Sequence, residues 1–265
     1  MFPYTDSATE ESVPRENFDA YQTLKYETVY EQITKASPDV KTFEIKPSHC
    51  DMKQDICIHI KDLEGLCNSI KTLCRNNEEK YIFAYFDNPD GINHKKGWDS
   101  KDTQDFILHA EELFEDLTKE LKNTDTLLIM SADHGHNNIT TNYNSMDLEE
   151  LSDCYIMPPS LEPRFVSFWI KPEKLEFFKE KFNEKFNKEF ILFTKEEFLA
   201  SNLLGYGVPH PKIDDFLGDY IAIAISDSAI NIKTALSKER NVKLSNHCGL
   251  TENEMEVPLI VFDMK

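Results

Sequence analysis

Two short apolar runs in this sequence each end, within a few residues, in aspartate and histidine. Residues 81–86 and 126–130 are rich in β-forming side chains, and the polar segments 90–94 and 133–136 follow them. A helical pattern over residues 102–121 lies between the two runs. Strands that alternate with helices favour a mostly parallel sheet, and open α/β sheets carry functional residues at the carboxyl ends of their strands. The pattern predicts an α/β fold and makes an enzyme the leading hypothesis.

The other elements follow from the same spacing rules. Apolar residues three or four apart predict helices, and short β-branched or aromatic runs predict strands. The expected helices cover residues 21–33, 62–75, 102–121 and 172–187, and a further one begins at Thr194 with a capping box to Glu197. The expected strands cover residues 40–45, 81–87, 126–131, 165–170, 191–193, 220–225 and 257–262. Helix 102–121 is expected to turn inward the side chains of Ile107, Leu108, Leu113, Phe114 and Leu117.

Between residues 158 and 211 the sequence pattern differs from that of the rest of the chain, because short strand-like runs alternate with helical segments. We expect this stretch to be a small accessory βα insertion in a main α/β domain formed by residues 1–157 and 212–265. The aromatic stripe of helix 172–187 is expected to be core. The strands at 220–225 and 257–262 are expected to return to the main sheet.

Three separate segments contain the residue types that bind zinc-like ions through imidazole nitrogen and carboxylate oxygen. Asp90 and His94 are four residues apart, in what we expect to be a loop flexible enough to bring both to one ion. Asp133 and His134 are consecutive, so they can share a metal only where the strand has ended and the chain turns. The third segment contributes His247, which precedes the last apolar strand.

The remaining histidines that we weighed are weaker candidates. His49, His59 and His109 have no ligand-like neighbours in the sequence, and His109 lies in a helical stretch where a surface or capping role is expected. His210 stands between two prolines and is expected to belong to loop structure.

Five motifs, in order, resemble the alkaline phosphatase superfamily, and within it the type I phosphodiesterase/nucleotide pyrophosphatase group. The resemblance runs from about residue 80 to the C-terminus. The motifs are Asp90-x-x-x-His94-x-x-Gly97, Ala132-Asp133-His134-Gly135, Pro158-Pro159-x-x-Glu162-Pro163-Arg164, Gly218-Asp219, and the segment from His247 to Leu259.

The resemblance implies an alkaline-phosphatase-like fold that binds two divalent metal ions, which we expect to be zinc. Asp90, His94 and His247 would hold one ion, and Asp133 and His134 the other. The implied reaction is hydrolysis of a small phosphoester or phosphodiester. Arg164 is a candidate for holding the phosphate, with a structural ion pair as the open alternative.

The start of the chain departs from the family pattern. The family's second zinc also takes an Asp from the first strand, and a later Thr or Ser is the nucleophile. Thr5 faintly echoes the nucleophile turn, but the Gly-x-x-Pro-x-x-His-Gly stretch that should follow has no counterpart. We therefore expect the N-terminal strand to be missing, so that this truncated or split member has impaired activity alone. The expected partners are a separately encoded N-terminal segment or a second copy of the chain.

Two other functions remain open from the sequence. One is a non-catalytic metal- or partner-binding remnant, which the departure at the start of the chain favours. The other is a phosphomutase or sulfatase relative that uses the same ligands.

Composition excludes several classes of partner. The net charge of −19 argues against nucleic acid, because polyanion binding depends on clustered Lys and Arg. The sequence has no apolar run long enough to span a membrane. The six cysteines are scattered without a disulfide or zinc-finger spacing, which favours a reducing, cytoplasmic location.

Overall fold

The computed structural model describes residues 26–50, 57–232 and 243–265. Thr5 and residues 21–25 of the expected first helix lie outside the described residues. The helices are α1 (Val29–Ala36), α2 (Leu63–Leu73), α3 (Asp90–Lys96), α4 (Lys101–Leu121), α5 (Glu149–Ser152), α6 (Leu175–Phe186), α7 (Lys195–Ala200), α8 (Ile213–Phe216) and α9 (Glu252–Met255). The strands are β1 (Lys41–Pro47), β2 (Cys57–Ile60), β3 (Lys80–Ala84), β4 (Leu127–Ser131), β5 (Asn137–Asn138), β6 (Thr141–Asn144), β7 (Ser160–Glu162), β8 (Phe165–Phe168), β9 (Phe190–Thr194), β10 (Tyr220–Ala224), β11 (Ser228–Asn231), β12 (Ser245–Asn246) and β13 (Leu259–Asp263).

The predicted α/β class is confirmed, and most boundaries lie within a few residues of the expected ones. The first helix differs most from its predicted bounds of 21–33, since in the described residues it begins at Val29 and ends at Ala36. The reason is a capping box that the spacing rules overlooked. The Glu31 amide donates to the Thr28 hydroxyl at 3.2 Å, and the Thr28 amide donates to the Glu31 carboxylate at 2.7 Å.

Strands β2, β1 and β3 form a parallel sheet in that order. Asp62 is the N-cap residue of helix α2, and its carboxylate accepts a hydrogen bond from the Gly65 amide at 2.8 Å. The apolar face of α2 packs with α4 and the sheet, because its buried residues recur at helical spacing. The buried core of this part consists of Ile45, Ile60, Leu63, Leu66, Cys67, Ile70, Leu117, Leu121 and Met264.

The residues of helix α4 that pack against the core differ from the expected set. Leu117 is buried, but Ile107 and Leu108 are 52% and 57% exposed, so their inward assignment was wrong. Leu108 lies nine residues before Leu117, which is two and a half turns, and therefore points to the opposite side of the helix. Phe106 and Ala110 pack against the core instead.

The accessory part is an antiparallel sheet in the order β7, β8, β10, β9. Strand β10 is buried along its whole length, with α6 covering one face and α7 the other. The expected return of strand 220–225 to the main sheet was wrong, because β10 pairs with β8 and β9. The aromatic stripe of α6 is core as predicted, with Phe178, Phe182 and Phe186 fully buried.

Strands β4 and β13 form a separate antiparallel pair among the described residues. Leu128 of β4 packs against the core, but the other side of the pair is open. Ile129 and Val261 lie opposite each other and are 58% and 53% exposed. Leu127 and Leu259 are also exposed, at 62% and 73%. The result is an exposed apolar face on a sheet of two strands.

None of the helices in the described ranges combines the length and apolar character that crossing a bilayer requires.

Candidate metal centre

Helix α3 presents Asp90 and His94 on the same side. The prediction of a flexible loop was wrong here, because the segment forms a helix that follows Pro89. Gly97, with a φ of 93°, is the C-cap residue of this helix. Residues four apart are neighbours on a helix surface. His94 Nε2 accordingly lies 3.2 Å from Asp90 Oδ1. The helix therefore supplies a preformed pair of ligand-type groups.

Two further histidines approach the same carboxylate from distant segments. His136 Nε2 lies 2.7 Å from Asp90 Oδ1, and His247 Nε2 lies 3.7 Å from it. One ligand-type atom each from Asp90, His94 and His247 lie within 4.8 Å of one another. The same holds for Asp90, His134 and His136. The structure thus gathers one carboxylate and four imidazoles.

The outer nitrogens of these rings are held by the protein. His94 Nδ1 donates to the Ser245 carbonyl at 2.8 Å, and His134 Nδ1 donates to the Gly135 carbonyl at 2.9 Å. This tautomer leaves the Nε2 lone pairs of both rings available. An imidazole oriented by a hydrogen bond to its other nitrogen is the usual arrangement of a metal ligand.

His136 belongs to this cluster and was not among the ligands that the sequence predicts. Its ring is buried, and its Nδ1 lies 3.1 Å from the Ser245 hydroxyl. The Asp90 carboxylate can only accept, so Nε2 is the donor of the 2.7 Å contact, while the Ser245 hydroxyl donates its proton to the Asn137 carbonyl at 3.0 Å. His136 then orients the carboxylate. Its place two residues after His134 was the one signal available in the sequence.

A short ladder brings the two histidine segments together. In the pairing of β5 with β12, Asn137 lies opposite Asn246 and Asn138 opposite Ser245. Gly135 is required beside this ladder, because a Cβ there would lie 2.0 Å from the Asn253 carbonyl oxygen. Gly135 therefore allows the backbone to approach the segment around α9 closely.

The electrostatics favour a charged Asp90 carboxylate beside neutral His94 and His247 rings. Burial opposes ionisation of Asp90, but the His136 hydrogen bond and the neighbouring imidazoles outweigh it and lower its pKa to about 2. Burial, reinforced by His134, lowers the pKa of His247 to about 3. Burial also lowers the pKa of His94. These are the protonation states that metal binding requires.

The predicted ligands of the second ion lie beside this cluster. The His134 and His247 rings stack with centroids 3.8 Å apart. Asp133 Oδ1 lies 3.8 Å from His134 Nε2, and the Asp133 side chain is 64% exposed. The division of the ligands between two ions stays a prediction.

Arg164 forms a structural ion pair, which the sequence analysis left open as the alternative to phosphate binding. Its side chain is fully buried, and Nε and one terminal nitrogen each donate to the Glu254 carboxylate at 2.6 Å. The terminal nitrogens also donate to the carbonyls of Ser228 and Ser226, at 2.6 and 2.7 Å. Arg164 thus joins α9 to the segment around β11.

The remaining histidines include one correction. His49 does have ligand-type neighbours in space, because its Nε2 lies 2.7 Å from Asp87 Oδ2 and both lie near the Cys50 thiol. His109 is a surface residue of α4 that pairs with Glu64 at 2.9 Å. His210 belongs to a loop, as predicted, and accepts a hydrogen bond from the Lys212 amide.

The residues around Asp90 fit a divalent transition metal. They offer nitrogen and carboxylate oxygen, with outer hydrogen bonds that orient the rings. The fold and the site together define an α/β protein with a cluster of histidine and carboxylate side chains, of the types that bind metal, next to its strand ends.

Comparison with known proteins identifies the family. The sequence model for type I phosphodiesterase / nucleotide pyrophosphatase matches residues 5–217, most of the 265-residue chain. The chain belongs to this family, which confirms the predicted resemblance. Family and fold together support a phosphoester hydrolase. No curated protein sequence matches the chain.

Solved structures share the fold at low sequence identity. Murine ectonucleotide pyrophosphatase / phosphodiesterase 5 is 16% identical with a TM-score of 0.66, over 98% of this chain and 70% of that one. An inactive form of the murine protein in complex with AMP is 18% identical with a TM-score of 0.64, over 99% and 71%. Phosphonoacetate hydrolase from Sinorhizobium meliloti 1021, in complex with phosphonoacetate, is 15% identical with a TM-score of 0.67, over 97% and 72%.

Proposed function

We propose that this protein is a metal-dependent hydrolase of small phosphoesters or phosphodiesters. The observation that carries the proposal is the convergence of Asp90, His94 and His247, whose ligand-type atoms lie within 4.8 Å of one another. Membership of the phosphodiesterase family supports the reaction class. AMP and phosphonoacetate, found with two structurally similar proteins, are small phosphorus-containing molecules and support the substrate size.

The metal requirement is proposed as two zinc ions. Asp90, His94 and His247 would hold one ion, and Asp133 and His134 the other. Bound zinc would supply a Lewis acid for the phosphoryl oxygen. His136 would keep the Asp90 carboxylate oriented through its 2.7 Å contact. The Nδ1 hydrogen bonds of His94 and His134 would hold these rings in the tautomer that ligation needs.

Thr5 is the nucleophile candidate, and the family match begins at this residue. The family's Gly-x-x-Pro-x-x-His-Gly stretch has no counterpart after it. We therefore expect the 265-residue chain to turn over a diester slowly or not at all. Loss of a nucleophile typically removes several powers of ten in rate.

A partner-binding protein is the second candidate function. The exposed apolar face of β4 and β13 favours it, because such faces mark interaction sites. A partner protein or a second copy of the chain that packs against this face would cover it. Cytoplasmic location is proposed as well, because the six cysteines, all within the described ranges, form no disulfide bond.

The test compares metal content and hydrolysis in three proteins. Zinc-loaded wild type, His247→Ala and the surface control His109→Ala are analysed by metal content and with bis-nitrophenyl phosphate. His247→Ala is expected to lose about one equivalent of metal, because protein ligands determine affinity. His109→Ala should match wild type. Equal metal content in all three would contradict the proposed centre.

The same assay tests the nucleophile. Slow wild-type turnover that Thr5→Ala leaves unchanged is the expected result. Fast turnover abolished by Thr5→Ala would instead establish a complete active site in this chain. Metal binding without any hydrolysis would favour the partner-binding candidate.

A further inference from the structure

Lys243 places its ammonium group against the metal centre. Its Nζ lies 2.9 Å from His94 Nε2. The backbone beside it is held in place, because the Leu244 amide donates to the His94 carbonyl at 2.9 Å and the Leu244 carbonyl accepts from Ile139 at 2.8 Å. The lysine is therefore anchored at the rim while its side chain remains exposed to solvent.

The surroundings of Lys243 are acidic. Burial raises the pKa of Glu162, the positive charge of Lys243 opposes that rise, and the negative charge of Asp90 adds to it. Lys243 is thus close enough to Glu162 to oppose the rise of its pKa, in a chain with a net charge of −19. An anionic substrate that approaches this site needs a compensating cation.

Arg164 does not provide that cation at the rim, since all three of its nitrogens donate to buried protein acceptors. Lys243 is differently placed. The Nε2 atom of His94 cannot ligate a metal and accept a hydrogen bond from Lys243 through the same lone pair. Once His94 acts as a ligand, the ammonium of Lys243 requires another acceptor close to the same position.

We propose that this acceptor is a non-bridging phosphoryl oxygen of the substrate, so that Lys243 is a substrate-binding residue. The inference rests on the proposed hydrolase function and adds the requirement that the substrate place an anionic phosphoryl group beside Lys243. Lysine suits this role because its ammonium is a point charge with three donors on a flexible stem. Lys243 would recognise the phosphoryl group itself, so its contribution to binding would not depend on the leaving group.

The experiment measures binding of inorganic phosphate to the zinc-loaded protein by calorimetry, so it does not depend on turnover. Lys243→Met is compared with Lys243→Arg and with Lys188→Met, an exposed lysine in the accessory part. Lys243→Met is expected to weaken phosphate binding about ten-fold or more, the range for hydrogen bonds to charged groups. Lys243→Arg should retain most of the affinity, and Lys188→Met all of it. Metal content should be equal throughout.

Equal phosphate affinity in Lys243→Met and wild type would overturn the inference and leave the hydrolase proposal standing. So would a wild type that binds no phosphate. Loss of metal in Lys243→Met would assign the lysine to the metal site and also overturn it. Phosphate binding that depends on Lys243, in a protein that hydrolyses no ester, would support the inference while the hydrolase proposal fails.

Discussion

Asp90 is the residue on which the candidate centre depends. Its Oδ1 atom lies within 3.7 Å of Nε2 atoms from three histidines that come from three separate segments. Because three histidines contact this one carboxylate, they determine its orientation. Changes at those neighbours should therefore appear as changes in metal affinity.

Replacement of His136 tests whether it orients Asp90. His136→Phe removes the N–H donor, and we expect metal affinity to fall about ten-fold to one hundred-fold, as for other outer hydrogen-bonding partners. His136→Gln can keep a donor near the Asp90 carboxylate and should lose less. Competition with a chromophoric chelator measures both affinities. Equal affinity in His136→Phe and wild type would show that Asp90 is oriented without His136.

The lowered pKa values of His247 and His94 predict how stability depends on pH in chelator-treated protein. Both imidazoles ionise more readily in the unfolded chain, so below about pH 6.5 the unfolded state binds more protons. Stability should consequently fall as the pH decreases from about 7 to about 5, by at most about 1.4 kcal/mol per pH unit for each proton. Asp90, with a pKa of about 2, acts at lower pH.

The measurement is the thermal midpoint across this pH range. His247→Gln should reduce the slope, whereas the exposed control His109→Gln should leave it unchanged. A slope that is identical in all three proteins would exclude His247 as a source of the pH dependence.

Among the elements, helix α6 shows how strongly the accessory sheet depends on one aromatic face. Phe178, Phe182 and Phe186 recur every four residues, and all three are fully buried against β8, β9 and β10. Residues four apart lie on one side of a helix, which is why the stripe identifies the buried face. The other side of α6 contributes much less burial.

Two phenylalanines of α6 form a matched pair for a stability test. Phe182→Ala should reduce the free energy of unfolding by about 3–5 kcal/mol, since it leaves a cavity in a closed core. Phe177→Ala should cost less, because that side chain is already 38% exposed. Urea unfolding followed by circular dichroism gives both values. Equal losses would mean that the two faces of α6 contribute alike.

For the whole molecule, the exposed pair of strands β4 and β13 is the feature with the widest consequence. Exposed apolar strands with unpaired edges recruit other chains. Self-association through this face is a prediction, and the identity of the covering partner stays a proposal.

Substitutions on this face test whether it drives association. Ile129→Thr combined with Val261→Thr keeps β-branched residues while making an exposed cross-strand pair polar. Sedimentation velocity should show a shift of the double variant towards monomer relative to wild type. Val208→Thr, at a loop position that is 98% exposed, is the control and should behave as wild type. A monomeric wild type would refute self-association.

The sequence by itself determined the α/β class, the order of most elements and the convergent ligand-type residues Asp90, His94 and His247. These follow from periodicity and from motifs, which depend on residues close together in the chain or in a known family order. The buried stripe of α6 and the capping box at Thr194 are local in the same sense.

Tertiary structure alone decided the features that depend on residues far apart in sequence. It brought His136 to Asp90 across 46 residues and paired Arg164 with Glu254 across 90. It also joined β10 to the accessory sheet, and it left Ile107 at the surface. Local sequence patterns do not specify which distant residue pairs with a buried charge, or which two strands pair in a sheet. Those outcomes depend on packing and on hydrogen bonds that form only when the chain has folded.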